Sequence, residues 1–265
     1  MGFFTSKVAV ITGAASGIGR ALAIELARRG ARLALSDIDM DGLAQTRSLC
    51  GPAEVRVYRL DTSSREDVYA HARDVGRASG AAHLLFNNAG ATVIGTIEHL
   101  TIEEIEWQLG INLWGVIYGT KAFLPSMLSQ KQGWIVNVSS VFGFVSYPSQ
   151  GAYNISKFGV RGLTECLWQE LEGSGVEAVC VHPGGIRTSI EKTGRRSVNA
   201  GEAEAGFTAI AQKLLVTPPE VVAIDVLDGI ERGKRRILTG KFSSTLHWLS
   251  RLLPNHYPQL VKLLG

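Results

Sequence analysis

Short runs of apolar and β-branched residues alternate along the chain with longer segments in which apolar residues recur at helical spacing. The short runs are almost continuously apolar, which is typical of central strands that are covered on both faces of a sheet. The pattern predicts strands at 8–12, 32–36, 55–60, 83–87, 134–139, 176–182 and 236–238. It predicts helices between them at 17–29, 40–49, 65–78, 101–128, 152–172 and 218–232.

Repeated strand–helix units fold as a parallel sheet with right-handed crossovers and helices on both faces. We therefore expect an α/β fold in the form of a doubly wound parallel sheet of about seven strands. The start of the last helix is indicated by Thr217-Pro218-Pro219-Glu220, which has the spacing of a capping box with proline in the first turn.

The chain contains no internal repeat, low-complexity tract or linker, so residues 1–240 are predicted to form a single domain. Its least regular stretch is 189–216, which contains three glycines and several charges. This stretch follows the carboxyl end of a strand, where open α/β sheets bind their ligands. Because long irregular connections there are often active-site lids, we predict a substrate lid at 189–216.

The last residues, 241–265, form a basic amphipathic tail. Apolar residues recur in it at helical spacing, at Phe242, Leu246, Leu249 and Leu253. From 232 to 265 the chain has seven Lys or Arg residues and no Asp or Glu. Such a tail either packs over the substrate pocket or a neighbouring subunit, or makes peripheral contact with a membrane surface. The sequence leaves these alternatives open.

Composition excludes several other classes of protein. The chain has 265 residues, 45% of them hydrophobic, and no apolar stretch approaches the ~20 residues that a membrane span needs. Its three cysteines are far apart and form no CxxC pair, so neither a disulfide framework nor a structural zinc site is expected. Few, scattered cysteines favour a reducing, cytoplasmic location. The net charge of +3 is too small to indicate the basic surface of a nucleic-acid-binding protein.

A glycine-rich turn joins the first predicted strand to the first predicted helix. Its sequence, Thr12-Gly13-Ala14-Ala15-Ser16-Gly17-Ile18-Gly19, has the spacing G-x-x-x-G-x-G rather than the usual G-x-G-x-x-G. Glycines let the backbone approach a pyrophosphate, which is favoured at the positive end of the helix that follows. At this place in a doubly wound sheet the turn is typical of a Rossmann-like dinucleotide site. The predicted cofactor-binding residues here are Gly13, Ser16, Gly17, Ile18 and Gly19.

Acidic residues end the second and third predicted strands. Asp37 can accept hydrogen bonds from the ribose hydroxyls and repels a 2′-phosphate. Because its neighbours Ser36 and Ile38 offer no cation, NAD is favoured over NADP as the cofactor. Asp61 could bond the adenine amino group. Both acids have a simpler interpretation, Asp37 as a helix N-cap or turn residue and Asp61 as a turn residue.

Two motifs lie further along the chain, Asn87-Asn88-Ala89-Gly90 after the fourth strand and Tyr153-Asn154-Ile155-Ser156-Lys157 at the start of a helix. Ser140 stands thirteen residues before Tyr153, and Asn112 lies on the preceding helix. Pro183-Gly184 follows the sixth strand, with Thr188 five residues after the proline. In this order and register the chain resembles the compact single-domain branch of the short-chain dehydrogenase/reductase family, over nearly its whole length.

Tyr153 and Lys157 are four residues apart on a predicted helix and therefore share one face. The pKa of a free phenol is ~10, but a nearby ammonium and a positive nicotinamide ring favour the phenolate. Tyr153 can then take the alcohol proton as hydride leaves for the nicotinamide, or donate it to a carbonyl in reverse. Ser140 would hold the substrate oxygen, with Ser139 as the alternative on the opposite strand face. His182 has no acid partner in register and is expected to be structural.

The resemblance implies further roles and an assembly. Asn112 would hold a water that links Lys157 to solvent, and Lys157 would also anchor the nicotinamide ribose. The helices at 101–128 and 152–172 would pack against those of a second subunit, so a homodimer or homotetramer is expected. The nicotinamide carboxamide would meet Ile186 and Thr188, and the adenosine side would be lined from Asn88 to Gly90. The remaining implied cofactor contacts are Asn88, Ala89, Gly90, Pro183, Ile186 and Thr188.

The loop at 141–147 beside these residues is mostly apolar, as are Val93, Ile94 and Ile190, and no Lys or Arg lies among these positions. We expect a lipophilic secondary alcohol or ketone as substrate, and the alternative is that these residues only pack the loop. The leading hypothesis is an NAD-dependent alcohol dehydrogenase or ketone reductase. A 3-oxoacyl-thioester reductase is disfavoured by Asp37, since such enzymes usually take NADP. A non-catalytic dinucleotide-sensing protein would have no need of a proton relay.

Overall fold

The computed structural model describes residues 2–188, 190, 194–201 and 214–262. The strands are β1 (Val8–Thr12), β2 (Arg32–Asp37), β3 (Val55–Arg59), β4 (Leu84–Asn87), β5 (Val93–Ile94), β6 (Gly133–Val138), β7 (Val176–Gly184), β8 (Arg195–Arg196) and β9 (Arg236–Gly240). The helices are α1 (Gly17–Arg28), α2 (Met40–Leu49), α3 (Arg65–Ser79), α4 (Ile102–Leu109), α5 (Gly115–Gln130), α6 (Gly151–Glu170), α7 (Pro219–Glu231), α8 (Ser243–Leu252) and α9 (Tyr257–Lys262).

Seven strands form the main sheet in the order β3-β2-β1-β4-β6-β7-β9, and every neighbouring pair is parallel. The prediction of a doubly wound α/β sheet is therefore confirmed, and each predicted strand ends within two residues of its observed bounds. The order reverses between β1 and β4. Open sheets of this kind bind ligands at the carboxyl ends of the strands beside such a reversal.

The central strand β1 is buried along its whole length. Successive side chains of a strand point to opposite faces, so Ala9 and Ile11 join one core with α1 and α7, while Val8 and Val10 join another with α3, α5 and α6. Neither face of the strand meets water. This two-sided burial is why β1 is continuously apolar in sequence, and each of its buried Val and Ile side chains stabilises the fold by ~1.5–3 kcal/mol.

The helix predicted at 101–128 is interrupted in its middle. α4 ends at Leu109, a π-helical turn spans Gly110–Trp114, and α5 begins at Gly115. A π turn adds one residue to a helical turn, so each flanking segment keeps its own apolar periodicity although the segments are separate helices. The sequence pattern therefore predicts a single helix where the structure has two.

The capping box predicted at the start of α7 is wrong. Pro218 occupies the N-cap position, and the Thr217 hydroxyl accepts a hydrogen bond from the backbone N–H of Lys241 at 3.2 Å. A partner distant in sequence therefore takes the hydroxyl that would have capped the helix. The predicted proline in the first turn, Pro219, is in place.

The lid predicted at 189–216 lies mostly outside the described residues, which include only 190, 194–201 and 214–216 of it. The described part contains β8, which pairs in parallel with β5. Arg195 lies opposite Val93 and Arg196 opposite Ile94. This two-stranded sheet was not predicted, and it brings a residue of the predicted lid next to the segment that follows β4.

The tail forms α8 and α9, as its helical spacing predicts. Leu246 and Val261 are buried against Val145 in the loop that follows β6. The Tyr257 hydroxyl lies 3.0 Å from Oγ of Ser146 in the same loop. In the part of the chain that the structure describes, no helix has both the length and the apolar character needed to cross a membrane.

Candidate active site

A cleft of about 960 Å³ opens at the carboxyl ends of the central strands. Two predicted site residues, Gly19 and Asn112, lie behind its lining. The predicted residues that line it are Gly13, Ser16, Gly17, Ile18, Asp37, Asp61, Asn88, Ala89, Gly90, Ser140, Tyr153, Lys157, Pro183, Ile186 and Thr188. The fold therefore brings together residues that are spread over most of the sequence.

The glycine-rich turn is packed so closely that only glycine fits at two of its positions. Gly13 has a φ of 68°, and a Cβ added there would lie 2.7 Å from Cα of Ala89. A Cβ on Gly19 would lie 2.1 Å from the carbonyl oxygen of Gly13. The side-chain amide of Asn88 donates to the carbonyl oxygens of Thr12 and Gly13, at 3.0 and 3.1 Å. These contacts fix the backbone of the turn as a cradle at the start of α1. A cradle of this kind fits a pyrophosphate.

Asp37 lies at the end of the cleft beside this cradle. Its carboxylate accepts hydrogen bonds from the backbone N–H groups of Ala15 at 3.0 Å and Asp39 at 3.1 Å. The N-cap of α2 is Asp39, whose side chain accepts the N–H of Gly42 at 2.9 Å. The N-cap interpretation of Asp37 is therefore wrong. The carboxylate does stabilise its own turn, and it also lines the cleft.

Asp61 lines the same end of the cleft and stabilises the turn before α3. Its Oδ1 accepts hydrogen bonds from the N–H and the hydroxyl of Ser63, at 2.9 and 2.7 Å. The turn interpretation of Asp61 is thus present in the structure, and its contact with adenine stays a prediction.

Ser140, Tyr153 and Lys157 meet at the other end of the cleft. α6 carries Tyr153 and Lys157 on one face, with Nζ of Lys157 5.5 Å from the centre of the Tyr153 ring. The Lys157 ammonium is buried and donates to the carbonyl oxygen of Val138 at 2.9 Å. Ser140 follows β6, and its hydroxyl accepts the N–H of Phe142 at 3.1 Å. The same hydroxyl is close enough to the phenol of Tyr153 to favour its ionised form.

Burial dominates the ionisation of this group of side chains. It raises the pKa of Tyr153 to about 12, although the Ser140 hydroxyl acts in the opposite direction. It lowers the pKa of Lys157 to about 8. Both shifts favour the neutral form, as expected where charge is removed from water. The protein's own side chains therefore do not produce the lowered phenol pKa that the sequence predicts.

Asn112 lies on the π-helical turn and is fully buried behind the cleft. Its carboxamide accepts the N–H of Ala91 at 2.8 Å and donates to the carbonyl oxygen of Ala91 at 2.9 Å and to Oγ of Ser156 at 3.3 Å. Gly90 lies between Asn112 and Lys157, since a Cβ added there would be 3.5 Å from Oδ1 of Asn112 and 3.7 Å from Nζ of Lys157. Asn112 therefore positions the backbone that follows Gly90.

The alternative hydroxyl and the nearby histidine both have structural partners. The Ser139 hydroxyl donates to the carbonyl oxygen of Lys157 at 2.8 Å and so ties β6 to α6. Nδ1 of His182 lies 2.9 Å from the carbonyl oxygen of Ser140, and burial lowers the pKa of His182 to about 4. Among the described residues, no group of His, Cys, Asp or Glu side chains has the arrangement of a metal site.

The cleft beside Tyr153 is mainly apolar, but its lining differs from the prediction. The expected apolar residues that do line it are Val141, Phe142, Tyr147 and Ile190. Val93 and Ile94 are instead buried in β5. No Lys or Arg lies among the positions named from the sequence, but the fold brings two from elsewhere, since Arg195 and Lys241 both line the cleft. Pairing of β8 with β5 brings Arg195 to the wall, and no local sequence pattern encodes that pairing.

Other side chains that the sequence analysis did not assign to the cleft also line it, among them Trp107 of α4 and Gln150. Gln150 is the N-cap of α6 and stands three residues before Tyr153. Residues three or four apart on a helix lie on one face, so this spacing was a signal that could have found Gln150.

A family model described as short chain dehydrogenase matches residues 7–199. A Mycobacterium tuberculosis relative, provisionally named oxidoreductase SadH, is 42% identical over 266 residues, which cover 98% of this chain and 96% of the relative. The chain belongs to the short-chain dehydrogenase/reductase family. Like other short-chain dehydrogenases it is an oxidoreductase that binds a nicotinamide dinucleotide, and the family expected from the sequence motifs is confirmed.

Three more members of the short-chain dehydrogenase family bear on substrate and cofactor. Human estradiol 17-beta-dehydrogenase 11 is 32% identical over 97% of this chain and 83% of its own length. A Burkholderia phymatum short-chain dehydrogenase/reductase solved with NAD has a TM-score of 0.88 and 34% identity, covering 95% of this chain and 96% of its own. A metagenomic short-chain oxidoreductase solved with NADP has a TM-score of 0.71 and 28% identity, covering 86% and 91%. Similarity to these structures does not decide between NAD and NADP.

Proposed function

We propose that the protein transfers a hydride between NAD and a lipophilic secondary alcohol or ketone, with Tyr153 as general acid and base. The observation that carries this proposal is the meeting of Ser140, Tyr153 and Lys157 in a cleft whose far end holds the glycine cradle and Asp37. A single cleft of about 960 Å³ has room for a dinucleotide and a substrate side by side.

In this proposal Tyr153 moves one proton at its phenolic oxygen. The bound dinucleotide supplies the nicotinamide carbon that accepts the hydride in oxidation and gives it in reduction. During reduction Tyr153 donates its proton to the oxygen of the former ketone, and during oxidation it takes the hydroxyl proton of the alcohol. Ser140 donates a hydrogen bond to the same substrate oxygen while charge develops there.

The raised pKa of Tyr153 suits the reductive direction directly, because burial keeps the phenol protonated and ready to donate. In the oxidative direction the phenol has to lose its proton first, which needs positive charge close to the ring. Lys157, 5.5 Å from the ring centre, supplies part of that charge while it is protonated.

The remaining predicted roles are part of the same proposal. Lys157 anchors the nicotinamide ribose, and Asn112 holds a water that links Lys157 to solvent. Ile186 and Thr188 contact the carboxamide beside Pro183, while the adenosine side is lined by Asn88, Ala89 and Gly90. These roles are supported by where the residues lie, since every one of them except Asn112 lines the cleft. Asn112 packs directly behind Gly90 and Ala91.

NAD is proposed over NADP because of the charge around Asp37. A 2′-phosphate would meet the Asp37 carboxylate, and the residues beside it in the cleft are Ile38 and Asp39. The strand order supports this choice, since β2, which ends at Asp37, lies on the opposite side of β1 from β9, which Lys241 directly follows.

A lipophilic substrate is supported by the apolar lining beside Tyr153, which the tail completes. Phe242, Leu246 and Val261 line this end of the cleft together with Val141 and Phe142. We therefore propose that the tail at 241–265 caps the substrate pocket of the domain at 1–240. The name of the relative estradiol 17-beta-dehydrogenase 11 indicates a lipophilic secondary alcohol for that protein.

We also propose a homodimer or homotetramer built on the helices around the π-helical turn. Exposed apolar side chains on α5, α6 and this turn are Trp114, Leu128, Ile155 and Phe158. Large apolar side chains in water favour association. A cytoplasmic location is proposed because Cys50, Cys166 and Cys180 are all free thiols.

The proposed activity is tested by the absorbance of NADH. Purified protein is mixed with NADH and a panel of ketones of increasing apolar size, and with NAD and the matching alcohols, with NADP and NADPH run in parallel. We expect turnover with NAD or NADH that increases with the apolar size of the substrate. Absence of turnover with every ketone and alcohol, together with tight NADH binding, would favour the dinucleotide-sensing protein.

A further inference from the structure

The wall of the cleft near Tyr153 carries a cation that the proposed chemistry does not use. The guanidinium carbon of Arg195 lies 3.8 Å from the centre of the Trp107 ring, and both side chains line the cleft. Stacking on an aromatic ring fixes a guanidinium while its edge N–H groups stay free to donate. The carboxylate of nearby Glu104 is close enough to interact with the charge of Arg195, while it accepts the backbone N–H groups of Thr101 and Val198, both at 3.0 Å.

An amide donor without a partner lies in the same wall. Gln150 is 3% exposed and lines the cleft, and its Oε1 accepts a hydrogen bond from the Thr92 hydroxyl at 3.2 Å. Its Nε2 has no hydrogen-bond acceptor among the described residues. Buried polar groups are nearly always paired, so an orphaned donor on a residue that lines the cleft indicates a ligand acceptor.

Thr92 contacts both residues and holds them on one rim of the cleft. The carbonyl oxygen of Thr92 accepts the N–H of Arg195 at 2.9 Å, while the hydroxyl of Thr92 bonds Gln150. Gln150 in turn is the N-cap of α6, one helical turn before Tyr153. Arg195 and Gln150 are therefore fixed relative to the reacting end of the cleft.

Charge along the cleft is segregated. Its described acidic lining residues are Asp37, which ends β2, and Asp39 and Asp61, which follow β2 and β3, all at the adenosine end. Its described cationic lining residues are Lys157, Arg195 and Lys241, all outside that end. An anionic group on a substrate is therefore repelled from the adenosine end and attracted to the wall beside Tyr153.

We propose that Arg195 and Gln150 bind the carboxylate of an amphipathic substrate, a hydroxy acid or keto acid whose apolar chain lies against Val141 and Phe142. This inference rests on the proposed function and names the substrate class of the same site. A planar guanidinium with an adjacent amide donor matches the two oxygens of a carboxylate. The apolar lining then holds the chain between the carboxylate and the carbon that reacts.

Binding of unreactive probes tests the inference without requiring turnover. Decanoate, decyl phosphate and 1-decanol are titrated by calorimetry into the full chain saturated with NAD. Because hydrogen bonds to a charged group are worth more than neutral ones, we expect decanoate to bind at least ~10-fold tighter than 1-decanol. Equal affinity for decanoate and 1-decanol would overturn the proposal, as would binding in which decyl phosphate alone is preferred.

Variants identify the donors. Arg195→Gln is expected to remove the preference for decanoate and to leave 1-decanol binding unchanged, while Arg195→Lys keeps part of the preference. Gln150→Glu keeps an oxygen that accepts the Thr92 hydroxyl and replaces the free N–H donor by a negative charge. It is therefore also expected to lose the tighter binding of decanoate. Arg196→Gln is the matched control, since Arg196 is the next residue of β8 and lies outside the cleft lining. If Arg196→Gln lost the preference for decanoate as completely as Arg195→Gln, the assignment of the carboxylate to Arg195 would be wrong.

Kinetics separate this inference from the proposed function. The wild-type chain is assayed with NADH against 9-oxodecanoic acid and its methyl ester, in which a methyl group removes the charge at the far end. We expect a lower KM for the acid, lost in Arg195→Gln. Reduction of both compounds with equal KM would overturn the carboxylate site and leave the proposed function standing. Turnover of neither this pair nor any ketone or alcohol of the panel would overturn the proposed function, while the calorimetric comparison still decides the site.

Discussion

Lys157 lies 5.5 Å from the centre of the Tyr153 ring, while its ammonium donates a hydrogen bond to the carbonyl oxygen of Val138. The lysine is thus held by the last residue of β6, beneath the phenol. This arrangement places a titratable amine in the protein interior, where burial lowers its pKa to about 8 from an ordinary value of 10.5. Its charge state should therefore change within the pH range in which the fold can be studied.

Lys157 should make stability depend on pH. Between pH 8 and 10.5 the unfolded chain holds a proton on Lys157 that the folded protein has lost, so the free energy of unfolding rises with pH. The cost of burying the charged amine is fully present below pH 8. Above pH 8 the free energy of unfolding of the wild type should therefore rise by about 1.4 kcal/mol per pH unit relative to that of Lys157→Met. Urea unfolding of both proteins from pH 7 to 9 measures the difference.

Comparison with the variant is needed because other groups titrate nearby. Burial raises the pKa of Cys50 to about 11 and that of Cys180 to about 12, and both lower stability as pH rises above 9. Both thiols are present in wild type and variant alike, so most of their contribution cancels in the difference; the part that does not comes from the interaction of Cys180 with Lys157. A difference that stays constant from pH 7 to 9 would contradict the lowered pKa of Lys157.

Asn112 is expected to affect both stability and turnover. Asn112→Ala removes the hydrogen bonds to the backbone of Ala91, which should cost about 1–3 kcal/mol, and it frees the segment that follows Gly90. Misplacement near the reacting groups should also lower kcat by at least ~10-fold. Thr164→Val is the control, because it leaves the buried amide of Asn137 unpaired in the core, away from the cleft. It should lose similar stability in urea unfolding and keep its kcat.

Asp37 is expected to set the choice of dinucleotide. Asp37→Asn keeps an acceptor for the N–H of Ala15 and removes the negative charge that opposes a 2′-phosphate. The ratio of kcat/KM for NAD to that for NADP should fall by at least ~10-fold, about 1.4 kcal/mol. Asp41→Asn serves as control, since Asp41 is exposed in the first turn of α2 and outside the cleft lining. An unchanged ratio in Asp37→Asn would leave the carboxylate without a role in selectivity.

The tail can be tested for membrane contact. Leu246 and Val261 face the pocket, but Trp248 and Leu252 on α8 are exposed. If the tail only caps the pocket, the wild type and the double variant Trp248→Ser, Leu252→Ser should co-sediment equally with vesicles that contain phosphatidylserine. Sedimentation of the wild type that the double variant loses would instead assign the exposed face of α8 to a membrane surface.

Sequence reasoning succeeded where one local pattern determines the structure. β1 is buried on both faces and is therefore continuously apolar, and Tyr153 and Lys157 share a face because α6 is regular. Each predicted site residue except Gly19 and Asn112 lines the cleft, because strands of a parallel sheet end at the same edge.

The failures share a different cause, a partner that is distant in sequence. Arg195 reaches the cleft because the two residues of β8 pair with β5, which is a contact between segments a hundred residues apart. The Thr217 hydroxyl is taken by the N–H of Lys241, so it cannot cap α7. The pKa of Tyr153 depends on how completely the fold removes the phenol from water, which spacing along a helix does not reveal.

The account's central claim is that Tyr153 carries the proton, and Tyr153→Phe tests it most directly. The measurement is kcat for NADH-dependent reduction of the best ketone, alongside NADH affinity by fluorescence, with Tyr118→Phe as control because that ring stacks on Trp114 outside the cleft lining. We predict that Tyr153→Phe lowers kcat by at least ~10²-fold while NADH still binds, and that Tyr118→Phe retains full activity. Near-normal kcat in Tyr153→Phe would contradict the account.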